Sequence, residues 1–203
     1  MVRFYMLLWI CLVTGITNGQ NYTDSGPANN FQSAQNPLYW KNKTPFASYW
    51  QQDVHYKIKA TVDETTDIII GTEELTYYNN SPDTLYYVYF HLYQNAFIPG
   101  SYLDDLQNNN EAHPHYGKYE KQGLGITINE MRNSDSVPLQ TQLDNTILKV
   151  FLDKPLLPNT AKAFKIKFSS YYDAGSTRRR MKKYKAWGAN HYNGCQWYPK
   201  ICV

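Results

Sequence analysis

Apolar and polar residues alternate most regularly between Asp53 and Asn95. Val54, Tyr56, Ile58, Ala60 and Val62 interleave with His55, Lys57, Lys59 and Thr61. A period of two sends one row toward a core and the other toward water, which predicts a strand. The polar tip Asp63-Glu64-Thr65-Thr66-Asp67 follows, and Ile68 to Tyr78, rich in Ile, Thr and Tyr, is expected to run back beside it. Asn79-Asn80-Ser81-Pro82-Asp83 is a turn signal, because Pro presets φ and Asn and Asp tolerate turn geometry. Leu85 to Tyr93 makes a third run, and the three together predict an antiparallel meander.

Further along, Leu124 to Met131 alternates again, and Thr146 to Leu152 carries Leu148, Val150 and Leu152 on one face. Lys154-Pro155-Leu156-Leu157-Pro158-Asn159 breaks the pattern. Ala161 to Tyr171 then places Phe164, Ile166 and Phe168 opposite Lys165 and Lys167. Asn95 to Gly123 is irregular, with a turn at Pro99-Gly100 and room for one helical turn over Tyr102 to Leu106. No window of helical length shows a 3.6-residue period, and no repeat has solenoid spacing. At least six strands with short polar connections predict an all-β fold, an antiparallel β-sandwich or a saddle-like curved sheet.

The 203 residues suffice for one domain with a sizeable core, and the tyrosine-rich composition argues against disorder. A formal net charge of +3 does not imply a nucleic-acid partner. The first residues change the picture more. Arg3, the apolar run Phe4 to Val13 and the small residues Thr17 and Gly19 read as a signal peptide over 1–19, cleaved after Gly19. That run is too short for a membrane span of roughly 20 residues. The chain is therefore expected to be exported: periplasmic, cell-surface or secreted. An extended polar lead-in covers 20–47 and the β-domain 48–203.

Export permits a disulfide between Cys195 and Cys202, and two free thiols are the other reading. Asn21-Tyr22-Thr23 and Asn42-Lys43-Thr44 match the N-glycosylation pattern. His113 and His115 flank Pro114 and cannot share a helix face as a metal-binding pair would, so they read as loop residues. His55, His91 and His191 read as structural. Glu73 and Glu74 point to opposite faces of a strand and cannot act as an acid/base pair. Arg178 to Lys185 is a basic run, read as a solvated loop between strands. Tyr86, Tyr87 and Tyr89 read as packing residues rather than a carbohydrate platform. There is no nucleophile elbow and no phosphate-binding glycine loop.

Three stretches together resemble one family. The first is Tyr49-Trp50-Gln51-Gln52 followed by Val54 to Ile58. The second is Gly71 to Leu85 followed by Phe90-His91-Leu92-Tyr93-Gln94-Asn95-Ala96-Phe97. The third is Gln196-Trp197-Tyr198-Pro199-Lys200. In this order they look like the N-terminal β-domain of exported bacterial zinc metallopeptidases of the aminopeptidase N type, a gluzincin family, over Tyr49 to Val203.

The resemblance implies a saddle-like domain followed by a thermolysin-like catalytic domain, whose H-E-x-x-H and later Glu bind Zn2+. None of those motifs is in this sequence, so no catalytic residue and no metal ligand is carried over. Gln196 is the one position that matches a substrate-recognising role, toward the free amino end of a peptide. The chain stops on an apolar aromatic segment, which is expected to be the truncated end of the β-domain. Trp197, Tyr198, Ile201 and Val203 are then expected to form an exposed apolar patch that contacts the missing catalytic domain. The alternative is a stand-alone exported β-sandwich module that binds peptide or glycan, and a third reading is a structural or inhibitory relative.

Overall fold

The longest ladder in the molecule is built on Ile68–Asn79, whose side chains alternate between core and solvent along almost the whole strand. In the computed structural model, described here for residues 33–174 and 181–203, the chain divides into two units, Met1–Tyr49 and Trp50–Val203. The signal segment with its cleavage point, the Asn21 glycosylation pattern and most of the lead-in lie outside the described residues. In the first unit a 3-10 turn, Trp40–Asn42, is tied down by Asn42. Its Nδ2 donates to the carbonyls of Ser33 at 2.7 Å and Asn36 at 2.8 Å. A glycan on that nitrogen would replace one of its two hydrogens and so remove one of these bonds.

The second unit contains β1 (Asp53–Asp63), β2 (Ile68–Asn79), β3 (Leu85–His91), α1 (Tyr102–Asn109) and β4 (Ile126–Asn133). It continues with β5 (Thr141–Asp144), β6 (Ile147–Leu156), β7 (Thr160–Tyr171), β8 (Lys182–Ala186), β9 (Ala189–Asn193) and β10 (Lys200–Ile201). Two four-stranded antiparallel sheets, β1-β2-β7-β4 and β10-β3-β6-β5, share one core, and β8-β9 is a separate hairpin. The fold is the expected all-β sandwich. Leu75 and Tyr77 from β2, Phe164, Ile166 and Phe168 from β7, Val88 and Phe90 from β3, and Leu148 and Val150 from β6 fill the space between the sheets. Phe90 meets Phe164 edge-on across the interface, centroids 5.8 Å apart, a favoured aromatic geometry.

The expected meander is corrected in one respect. β3 does not pair with β2 but crosses to the other sheet. One edge of β2 is held by β1 and the other by β7 over the whole span from Ile68 to Asn79. No edge is left for β3. The turn signal at Asn79–Asp83 is thus a corner between sheets, organised by the fully buried Asn79.

Other boundaries moved for local reasons. β6 runs through Pro155 to Leu156, because the register with β3 jumps between Leu85↔Leu156 and Tyr87↔Phe151. A proline lacks the N–H that a regular ladder needs and sits in such an irregularity without loss. α1 extends to Asn109, past the turn expected at Tyr102 to Leu106, capped by Ser101, whose Oγ accepts from the amide of Asp104 at 3.1 Å. β5 is exposed at every position and has no apolar alternation to announce it.

Candidate functional site

The site is assembled from two parts of the chain that the resemblance singled out: the end of β3 with the 3-10 turn Tyr93–Phe97, and the exit segment from Cys195 to Val203. β10 lies antiparallel on β3, with Lys200 opposite His91 and Ile201 opposite Phe90. The amide of Cys202 donates to the Tyr89 carbonyl at 2.8 Å. Gln94 is buried, and its Nε2 donates to the carbonyls of Cys195 at 2.7 Å and Gln196 at 3.3 Å. Gln196 itself has a left-handed backbone, φ 50°. That conformation disfavours a non-glycine residue, so the Gln94 clamp holds the bend in place.

Aromatic rings fix the rest of the segment. Trp197 lies 6.0 Å from Phe168 and 5.3 Å from Tyr198, and Tyr198 meets Tyr56 edge-on at 5.7 Å. The Tyr56 hydroxyl accepts from the Ile201 amide at 3.1 Å. Burial pushes the Tyr56 pKa up to about 12, with smaller contributions from the nearby Glu73, Tyr198 and Cys202. Pro199 is fully buried. Gly194 abuts Tyr172 so closely that a Cβ there would stand 2.5 Å from the phenol oxygen.

The structure corrects the expectation of an exposed patch at the four apolar exit residues. Ile201 is part of the core, and Trp197 and Tyr198 are half-buried against it. The reason is the β3 ladder: strand alternation turns Ile201 inward beside Phe90, and only Val203 stands fully exposed. Gln196 is half-buried, at the surface of this segment.

Beneath the same segment lies a carboxyl that the sequence reading considered only as half of a pair with Glu74. Glu73 faces inward, is 1% exposed, and neither carboxylate oxygen has a hydrogen-bond partner. Its cross-strand neighbours are Ile58 and Ile166. Burial pushes its pKa up to about 8, so it is a neutral acid at pH 7. Glu74 points outward, as alternation requires.

The remaining candidates are dispersed. His113 and His115 are exposed loop residues, His91 stacks on Tyr93 at 4.8 Å, and His191 lies on β9. No group of three or more His, Cys, Asp or Glu among the described residues has the arrangement to hold a metal ion. Cys195 and Cys202 are free thiols, and burial pushes the Cys202 pKa up. Arg178 to Arg180 lie outside the described residues, but Lys182 to Lys185 form β8 rather than a loop. Tyr86, Tyr87 and Tyr89 are exposed, not packing residues: Val88 and Phe90 take the inward positions of β3. No described helix is long and apolar enough to cross a membrane.

No protein-family model matches the chain, and no curated protein matches it. Solved structures similar to it include an M1 zinc metallopeptidase from Deinococcus radiodurans, at 14% identity and a TM-score of 0.39, over 61% of this chain and 21% of that one. A mutant of the same protein bound to a Tyr-Ser-Ala substrate aligns at 14% identity and a TM-score of 0.39, over 62% of this chain and 22% of that one. A mutant of a two-domain M1 zinc metallopeptidase, bound to L-tryptophan, aligns over 60% of this chain and 21% of that one, again at 14% identity and a TM-score of 0.39. The chain therefore spans about a fifth of the length of these proteins.

Proposed function

We propose that this chain supplies the non-catalytic N-terminal β-domain of an exported zinc metallopeptidase of the aminopeptidase type. It shapes one side of the substrate cleft and docks the catalytic domain. The observation that carries the reading is the Gln94 clamp. Two stretches that resemble the family, Phe90 to Phe97 and Gln196 to Lys200, are about a hundred residues apart in sequence. In space they share a β-ladder and a part-buried hydrogen bond from the Gln94 side chain to the Gln196 carbonyl. Segments that meet this way form one surface, and a surface can be a cleft wall.

On this reading Gln196 contacts the free amino end of the peptide, its amide offering both a donor and an acceptor. Val203 and the outward sides of Trp197 and Tyr198 contact the catalytic domain. That domain would hold Zn2+ through H-E-x-x-H and a later Glu, and the ion would supply Lewis-acid chemistry there. The residues described here orient the substrate and exclude water from one side.

The test is the reading frame beyond the Val203 codon. It is expected to encode H-E-x-x-H followed by a Glu, and a stop codon in its place overturns the proposal. In the intact enzyme, Gln196→Ala is expected to raise KM for aminoacyl substrates about tenfold, the loss of one hydrogen bond to a charged amine. An unchanged KM removes Gln196 from the cleft.

A further inference from the structure

The outer face of the β1-β2-β7-β4 sheet carries an unbalanced array of cations. Register places its side chains in two rows that cross all four strands. One row is Lys57, Glu74, Lys165, Arg132; the next is Lys59, Thr72, Lys167, Glu130. Neighbours within a row stand about 5 Å apart, and the rows about 7 Å apart along the strands. Together they line a groove of about 490 Å³.

Five cations therefore face two carboxylates. Glu130 is shared by Lys167 at 2.9 Å and Arg132 at 2.8 Å, and Glu74 reaches Lys57 at only 3.7 Å. Lys165 stands directly opposite Arg132, a like-charged cross-strand pair that disfavours the sheet. Among the described residues its ammonium has only the Ser136 hydroxyl as a partner, at 3.1 Å. Lys59 has no ion pair or hydrogen bond among the described residues. The Glu73 carboxyl, one residue away, is turned into the core and neutralises nothing outside. Three positive charges in one groove remain uncompensated.

We infer that this groove binds a compact multivalent oxyanion, a ligand carrying two or more phosphate or carboxylate groups. The uncompensated ammonium groups, Lys59 on β1 and Lys165 on β7, approach from opposite sides of β2, and the Thr72 hydroxyl between them is a neutral donor for the same ligand. An anion with a single charged group, such as sulfate, engages one side only, whereas a ligand with two or more spans both. Charge-assisted hydrogen bonds supply the attraction, and screening by salt weakens it, since the groove is open to solvent.

The experiment is calorimetric titration of the chain with tripolyphosphate, citrate and sulfate in low salt. A single saturable site is expected for tripolyphosphate, for citrate, or for both, and the preferred ligand distinguishes phosphate from carboxylate chemistry. Sulfate is expected to bind at least about tenfold more weakly. Lys59→Gln/Lys165→Gln is expected to weaken binding at least about tenfold, with an unchanged circular-dichroism spectrum and melting curve reporting a folded sheet. Lys154→Gln/Lys185→Gln removes the same charge elsewhere and is expected to leave the affinity unchanged. Equal loss in both double variants, or no saturable binding of either multivalent anion, overturns the inference. So does tripolyphosphate or citrate that binds as tightly to Lys59→Gln/Lys165→Gln as to the parent, because the anion site would then lie elsewhere.

Discussion

Asn79 and Leu156 belong to different sheets, and the Asn79 side-chain amide donates to the Leu156 carbonyl at 3.1 Å. The same amide donates to the Asp83 carbonyl at 2.8 Å. Its oxygen accepts from Gln52 Nε2 at 3.1 Å, and from the Ser81 hydroxyl at 2.6 Å and the Ser81 amide at 3.2 Å. One buried side chain thereby closes the corner at which the chain leaves the first sheet for the second.

Asn79→Leu keeps the branching and number of heavy atoms but leaves the partners of that amide unpaired. Each buried orphan costs about 1–3 kcal/mol, so a loss of about 3 kcal/mol or more is expected in urea denaturation. A loss below about 1 kcal/mol would mean that the corner is held by the flanking strands alone.

Burial of Glu73 is expected to make stability depend on pH in the neutral range. Its folded pKa of about 8 is raised above the ordinary 4.5 by burial. Between those values the folded state holds a proton that the unfolded state has released, so stability falls as pH rises. The loss is complete above about pH 8 and amounts to at most about 5 kcal/mol, at about 1.4 kcal/mol per pH unit. Denaturation at pH 5, 7 and 8.5 should show that decline for the parent. Glu73→Gln removes the titration and should flatten it; a parallel decline in the variant would assign the effect to another group.

Gln94 holds the exit segment. Gln94→Ala is expected to raise hydrogen exchange at the Ile201 and Cys202 amides, which donate to the Tyr56 hydroxyl and the Tyr89 carbonyl. Amides in the middle of β2 and β7 should exchange as before, since local opening of an edge does not require global unfolding. Uniform acceleration across both sheets would show general destabilisation instead. The same loosening is expected to weaken any docking at Val203.

Trp187 and Gly188 form the two-residue loop between β8 and β9, with φ of 49° and 77°. Positive φ at both positions is the primed-turn geometry that Asn-Gly favours. Trp187 occupies the first position while 97% exposed, and its edge-on contact with the His191 ring at 6.3 Å offers little packing to offset its strained backbone. Trp187→Asn is expected to raise stability by about 0.5–1 kcal/mol, or about 1–4 °C in Tm. An unchanged or lower Tm would mean that the indole has a stabilising contact.

The two long strands and β7 were legible in the sequence because one face of each is buried and the other wet. Phe164, Ile166 and Phe168 against Lys165 and Lys167 is that contrast in five residues. The same alternation separated Glu73 from Glu74. β5 was not legible, because an exposed edge strand has no apolar row. The β8-β9 hairpin was hidden for a related reason, its lysines and polar residues giving no clear period.

What the sequence determined by itself was the all-β class, the inward row of each core strand, and a set of motifs that resemble one peptidase domain. Periodicity is local, and a strand declares which face it buries without declaring its neighbour. Only the tertiary structure decided that β7 rather than β3 lies beside β2, that Ile201 completes a core, and that Gln94 reaches across to Cys195. The cation groove has the same origin. Lys59, Lys165 and Arg132 share a face only once three long-range pairings set the register. Those pairings are chosen by how whole rows of side chains pack together, a property no single stretch of the chain contains.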